Sequence, residues 1–366
     1  MNKKIAIATF HKAHNYGAVL QAHALKKFLT NQNYKVKFYD YSPKWIENNY
    51  SLFPKFQGEN FFGSLKRKVG YLIDINNRYK RHHGFNVFIK NELTTWDEEE
   101  LPNINCYIVG SDQIWNPKIT KGFDALLFGL DEFQLSKPTI SYAGSMESLS
   151  LDEVRKREFI DKLGNLKAIG VRESSLEEYI TDNSNLTVQH VLDPTLLLHQ
   201  KDWLTIAEKS KLRVEDKFVL VYENYTTPQT EAIAKSIANY YGVKVITIVA
   251  GASRHHAKEI NATADPYDFV SLFQKAEFII TTSYHGLAFS LIFNKNFISL
   301  SVKDGVNNRA TSLLNKIGLS EYMVNPDEFD IKDYNYIDYT KVNNRLNAER
   351  QVSASFLIAN LERFCD

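Results

Sequence analysis

His285 stands where a proton or an anion could be handled. It lies in Thr281-Thr282-Ser283-Tyr284-His285-Gly286-Leu287-Ala288-Phe289-Ser290-Leu291, after the short apolar run Ala276-Glu277-Phe278-Ile279-Ile280. Leu287, Leu291 and Ile292 then recur at helical spacing. The order is therefore buried strand, polar turn, helix. Ser283 is a candidate N-cap, because its hydroxyl can accept from an orphan amide. His285 falls in the first helical turn at the carboxyl end of a strand. Ligands bind there in open α/β sheets, and the free amides of a helix start favour an anion. Gly286 lets another group approach the backbone closely. Taken alone, the turn reads equally well as a polar cap.

Other turns share this grammar. His11, Lys12, His14 and Asn15 crowd the loop Phe10–Gly17, between the strand Lys4–Thr9 and a helix from Ala18 to Leu29. That loop suits an anionic or sugar ligand, or is simply solvated. It lacks the Gly-x-Gly-x-x-Gly fingerprint, so a dinucleotide cofactor is not supported. Gly110-Ser111-Asp112-Gln113-Ile114-Trp115-Asn116-Pro117 follows the strand Tyr107–Gly110, a polar turn with an aromatic wall. Asp112 in that turn reads as an acceptor contact or as an Asx-turn. Trp115 reads as a sugar platform or as core packing. Gly144-Ser145, Arg172-Glu173-Ser174-Ser175 and Asp193-Pro194 close three further strands.

These turns need elements to hold them. Strands at Lys35–Tyr39, Thr139–Ala143, Ala168–Val171 and Val188–Leu192 complete a first α/β half. Phe218–Tyr222, Lys244–Val249, Ala276–Ile280 and Phe297–Leu300 build a second. We expect two Rossmann-like, doubly wound domains facing a cleft, a glycosyltransferase-B-like α/β architecture. The expected boundaries are 1–198, with a helical insertion at 43–104, and 199–340. A terminal helix in 341–366 is expected to return to the first domain. Within the insertion, Lys66 to Arg81 interleaves apolar residues with clustered positive charge. Such a helix either lies on an anionic membrane surface or presents a solvated basic face.

Composition narrows the classes. The 366 residues are 44% hydrophobic and 24% charged, which suits globular domains and not disorder. A net charge of +1 gives no signal for nucleic acid. The 20 Tyr and 23 Phe suit a carbohydrate site as well as a core. Two cysteines, Cys106 and Cys365, form neither a metal spacing nor a disulfide framework, so a cytoplasmic protein without a metal is expected. No run of 18 apolar residues is present.

The turns, taken together, resemble the polysaccharide pyruvyl transferase family along nearly the whole chain. The resemblance is carried by Thr9-Phe10 with Asn15-Tyr16-Gly17-Ala18-Val19-Leu20-Gln21, Gly110-Ser111-Asp112-Gln113-Ile114-Trp115-Asn116 and Tyr142-Ala143-Gly144-Ser145. It continues through Val171-Arg172-Glu173, Leu192-Asp193-Pro194-Thr195-Leu196, Ser283-Tyr284-His285-Gly286 and Asn308-Arg309. The order of seven motifs makes it specific.

The resemblance implies transfer of a pyruvyl group from phosphoenolpyruvate to a sugar as a cyclic ketal, with no further cofactor. It implies catalytic roles for Arg172, His285 and Arg309. The expected substrate contacts are Asn15, Tyr16, Gly17, Ser111, Asp112, Trp115, Ser145, Ser283, Gly286, Lys303 and Asn308. Many relatives carry arginine two residues before the histidine. This chain has Ser283, which shifts weight to Lys303 or Arg309 for holding the donor's charge. The acceptor expected is a polysaccharide or a polyprenyl-diphosphate-linked oligosaccharide, with peripheral contact at the inner membrane face. Two other readings stay open: a nucleotide-sugar glycosyltransferase of the same fold, and a carbohydrate-binding scaffold without turnover.

Overall fold

Residues 3–52, 75–134, 136–146, 149–223, 227–249, 263–301 and 308–365 are described by the computed structural model. Two parallel sheets organise them. The first contains β1 (Lys4–Ala8), β2 (Lys35–Phe38), β3 (Cys106–Val109), β4 (Thr139–Gly144), β5 (Ala168–Val171) and β6 (Val188–His190), in the order β2-β1-β3-β4-β5-β6. The second contains β7 (Phe218–Glu223), β8 (Lys244–Val249), β9 (Phe278–Thr281), β10 (Asn296–Leu300) and β11 (Met323–Val324), in the order β11-β10-β9-β7-β8. The protein thus consists of two parallel-sheet α/β domains.

Parallel strands covered on both faces must be apolar throughout, and β1, β3 and β9 read that way. The strand order has a further consequence. From β1 the chain steps outward to β2 and then back across to β3; from β7 it steps to β8 and back to β9. Each sheet therefore has a switch point, where loops diverge and leave a crevice. The crevice beyond β1 and β3 holds Phe10–Asn15 and Asp112–Gln113. The crevice beyond β7 and β9 holds Tyr222 and Thr282–His285.

Helices bring the two crevices together. Helix α1 (Tyr16–Asn31) follows β1, and α2 (Lys44–Tyr50) follows β2. Helix α3 (Ile75–Glu92) crosses to the second domain. Arg81 of α3 is buried and donates to the Tyr16 hydroxyl, which itself donates to the Ala264 carbonyl at 2.8 Å. The Tyr16 ring stacks on Phe269 at 4.7 Å. One continuous apolar core accordingly runs from Ile5 and Val19 to Phe269 and Leu287. The terminal helix α12, numbered after those introduced below, spans Tyr339–Phe364. Its Ser353 hydroxyl accepts the Leu192 amide at 2.8 Å, and Arg350 Nε donates to the Leu196 carbonyl at 2.7 Å.

The basic stretch behaves differently in its described part. Residues 66–74 lie outside the described residues. Arg81, at the far end, points into the domain junction rather than to solvent, because the Tyr16 and Phe85 rings and a hydroxyl receive it. Among the described residues no helix is long and apolar enough to cross a membrane.

Candidate active site

The two switch points enclose a cavity of about 200 Å³. From the first domain it is lined by Phe10, Ala13, Asn15, Ala18, Trp45, Tyr50, Asp112, Gln113 and Ile119; from the second come Tyr222, Thr282, Ser283, Tyr284, His285 and Arg309.

The helices between α3 and α12 include α4 (Glu153–Leu163), α5 (Ser174–Asn183), α6 (Pro194–Leu197), α7 (Gln200–Ala207), α8 (Pro228–Tyr241), α9 (Pro266–Lys275), α10 (Tyr284–Ile292) and α11 (Asn308–Ile317). Two helix starts, those of α1 and α10, converge on the cavity with Arg309 of α11. Asn15 caps α1, its Oδ1 accepting from the Ala18 amide at 3.3 Å. Ser283 is the N-cap residue of α10, and Arg309 is the second residue of α11. Each helix start presents amides and a partial positive charge. Helix α10 is buried along its whole length, since it is wedged between its own sheet and the other domain.

Behind the cavity lies a sealed set of charges. Asp193 caps α6: its Oδ1 accepts from the Thr195 amide at 2.9 Å and the Thr195 hydroxyl at 2.8 Å. Its Oδ2 lies 2.9 Å from Arg172 Nη1, 3.2 Å from Ser111 Oγ and 3.7 Å from His285 Nε2. Burial opposes the charge on Asp193, but His285, Arg172 and the Thr195 amide outweigh it and hold the carboxyl well below the usual carboxylate range. Burial likewise opposes the charge on Arg172; Asp193, Glu173 and Asp112 outweigh it and keep the guanidinium firmly protonated. Glu173 goes the other way. Burial raises its carboxyl above the ordinary range, against Arg172 and the Ser145 hydroxyl.

The expected residues fall into distinct places. Asn15, Asp112, Ser283, His285 and Arg309 line one cavity. Gly17 packs on His285: an ideal Cβ there would sit 2.2 Å from Nδ1. Gly286 is closed by its own sheet, with Thr281 Oγ1 at 2.1 Å from such a Cβ, so no ligand approaches its backbone on that side. Asp112 holds φ +80, a strained value for a residue with a side chain, and its Oδ1 accepts its neighbour Gln113's amide at 2.8 Å.

Several expectations are corrected. Trp115 is fully buried, its indole donates to the Leu127 carbonyl at 3.0 Å, and Phe128 and Phe159 enclose it; it is core, not a platform. Tyr16 belongs to the domain junction described above. Ser111 and Ser145 are buried and serve Asp193 and Glu173. Ser283 occupies the cap position, but its side chain makes no cap bond. Arg172 is fully enclosed, with Asp193, Glu173 and Asp112 at 2.9, 3.6 and 3.8 Å and its guanidinium 4.9 Å from the Tyr284 ring centre. Lys303 lies outside the described residues. Asn308 begins α11.

Other cavity residues carried little sequence signal. Trp45 and Tyr50 come from a short helix in the irregular insertion, and Phe10 meets Trp45 edge-on at 5.1 Å. Together they form the aromatic wall that Trp115 does not supply. Burial, then Asp112, push the Tyr50 phenol up to about 12 against Arg81. The Gln113 amide lies 3.2 and 3.3 Å from the two terminal nitrogens of Arg309, a position that suits its oxygen as acceptor. Asp193 had a visible signal, an Asp-Pro immediately after the last strand of the first domain.

A UDP-GlcNAc 2-epimerase from Methanocaldococcus jannaschii is 13% identical with TM-score 0.48, over 99% of this chain and 100% of that one. The Neisseria meningitidis UDP-GlcNAc 2-epimerase is 12% identical with TM-score 0.48, over 98% and 100%. The glycosyltransferase SnogD from Streptomyces nogalater is 10% identical with TM-score 0.45, over 98% and 99%. No curated protein matches the sequence significantly. The polysaccharide pyruvyl transferase family model matches residues 15–304, from the cap of α1 past the His285 turn, and the chain belongs to that family.

Proposed function

We propose that this transferase moves the pyruvyl group of phosphoenolpyruvate onto a sugar, closing a cyclic ketal and releasing phosphate. The observation that carries the reading is the convergence of two helix starts, Arg309 and His285 on one small cavity. A donor with a carboxylate and a phosphate needs fixed positive charge and amide donors, and helix starts with an arginine fork supply both.

The chemistry assigns work to each group. Protonation of the donor's methylene makes the adjacent carbon electrophilic. One sugar hydroxyl adds there, the C–O bond to phosphate breaks, and a second hydroxyl closes the ring. Of the two hydroxyl protons, one is balanced by the new methyl group and the other by the phosphate. His285 moves the proton, Arg309 holds donor oxyanions, and Asp112 with Asn15 meets acceptor hydroxyls. Phe10, Trp45 and Tyr50 offer the acceptor ring an aromatic wall. The acceptor is a sugar of a polysaccharide or a lipid-linked oligosaccharide, met at the inner membrane face, and no cofactor is invoked.

The test is incubation with phosphoenolpyruvate and a panel of free and lipid-linked galactosides. The expected result is phosphate release with an acceptor mass gain of one pyruvyl unit less water. Thermal stabilisation by nucleotide sugars but not by phosphoenolpyruvate would overturn the reading in favour of glycosyl transfer.

A further inference from the structure

Asp193 lies outside the cavity, yet its carboxylate is the group on which the site's charges meet. Nothing around it is arranged for a ligand. It is fully buried, and each oxygen is already engaged: Oδ1 by Thr195, Oδ2 by Arg172, Ser111 and the edge of His285. The His285 ring is held at one edge and on one face. Nε2 is shut away from solvent and faces Asp193 at 3.7 Å, a few tenths of an ångström beyond hydrogen-bond range. Gly17, in the first turn of α1 between the cavity-lining Asn15 and Ala18, packs on the ring at Nδ1 and Cε1.

We propose that Asp193 is a positioning residue for His285, holding the ring with Nε2–H turned to the buried carboxylate and Nδ1 as the unprotonated nitrogen, and that Arg172 serves this pair rather than the donor. The inference rests on His285 being the group that moves the proton. A carboxylate behind an imidazole fixes its tautomer and stabilises its protonated form. Arg172 and Ser111 draw on the same Oδ2, so they temper how strongly Asp193 holds a proton on the ring. The other charged and titratable groups around the ring are Tyr284 beside it on α10, and Asp112, Tyr50, Tyr222 and Arg309 across the cavity. Nδ1 is then the nitrogen left to accept or deliver the proton.

The experiment has two arms, run on the full-length protein. In the first, ring-nitrogen NMR follows His285 against pH without any ligand, in wild type, Asp193→Asn, Arg172→Gln and Ser111→Ala. Asparagine keeps an acceptor for the Thr195 cap but removes the charge. The His285 ring is expected to take its proton at lower pH in Asp193→Asn, and at higher pH in Arg172→Gln and Ser111→Ala. An unchanged midpoint in all folded variants overturns the proposal. Ser111→Ala, the mildest change, decides the matter if a charge variant fails to fold. In the second arm, phosphate release is measured. Asp193→Asn should lower kcat about 10²–10⁴-fold, the range for a general acid or base, while changing donor KM less than threefold. Arg172→Gln should leave donor KM similarly unmoved; a large rise would return Arg172 to the donor and overturn its part. If wild type releases no phosphate from phosphoenolpyruvate, the functional reading fails while the first arm still decides the pairing.

Discussion

Gly17, on the first turn of α1, lies flat against the imidazole of His285, on the first turn of α10. The two residues come from different domains and are 268 positions apart in the chain (285 − 17). Only a residue without a side chain permits their contact.

Gly17→Ala should therefore act on catalysis rather than on folding. A Cβ would meet Nδ1 at 2.2 Å and the ring must turn away. Helix propensity would favour alanine by roughly 0.5–1 kcal/mol, offsetting part of the clash. We expect a loss of phosphate release of about 10²-fold or more, since a misplacement near 1 Å costs that much. A folded Gly17→Ala protein with full turnover would show that the ring orientation does not matter.

Arg309→Ala should raise donor KM at least tenfold with a smaller effect on kcat. A close charge pair is worth about 4 kcal/mol at an effective dielectric near 20, before desolvation reduces it. Initial rates across a donor titration check this, and an unchanged KM would move the donor's anchor elsewhere, to Lys303 first.

The two tryptophans should separate cleanly. Trp115→Ala empties a sealed core site and should cost about 3–5 kcal/mol of stability, read by urea denaturation. Trp45→Ala removes a half-buried cavity wall and should raise acceptor KM with little loss of stability. Equal stability losses for both would refute the assignment of Trp45 to the acceptor.

Stability should fall in mild acid. Burial, the largest influence on each, lowers His11, His14, His23 and His190 to about 4 from the ordinary 6.5. A histidine whose folded value is depressed contributes stability present above the unfolded value. That contribution is lost as pH falls from about 6.5 toward 4, because the unfolded chain binds the proton first. Each is worth on the order of 3 kcal/mol across that window. Asp193 adds a further loss that begins as pH falls through the ordinary carboxylate range, where the unfolded chain takes the proton first, and ends only where its depressed carboxyl is itself protonated. Urea midpoints at pH 7.5 and 5.0 should differ clearly, and His23→Gln should shrink the difference. A midpoint independent of pH would contradict the buried neutral histidines.

Much was legible in the sequence because it is local. Apolar runs such as Phe278–Thr281 and helical spacing such as Leu287 and Leu291 mark their elements through side-chain period alone. A polar turn after each strand marks the carboxyl ends of the sheets, so the crevice and its His285 turn could be placed without coordinates. The ordered motifs carried the family. What the period of a segment cannot express is which group from another domain will face it. The turn Ser111–Trp115 is polar and aromatic in sequence, yet packing sent Trp115 into the core, Ser111 onto Asp193 and only Asp112 and Gln113 to the cavity. The enclosure of Arg172 by Glu173 after β5, Asp193 before α6 and Asp112 in the turn after β3 exists only in three dimensions. Asp193 gained its importance only because α10 brought His285 within 3.7 Å. Burial and electrostatic partnership depend on contacts between distant segments, and those contacts exist only once the two domains have packed together.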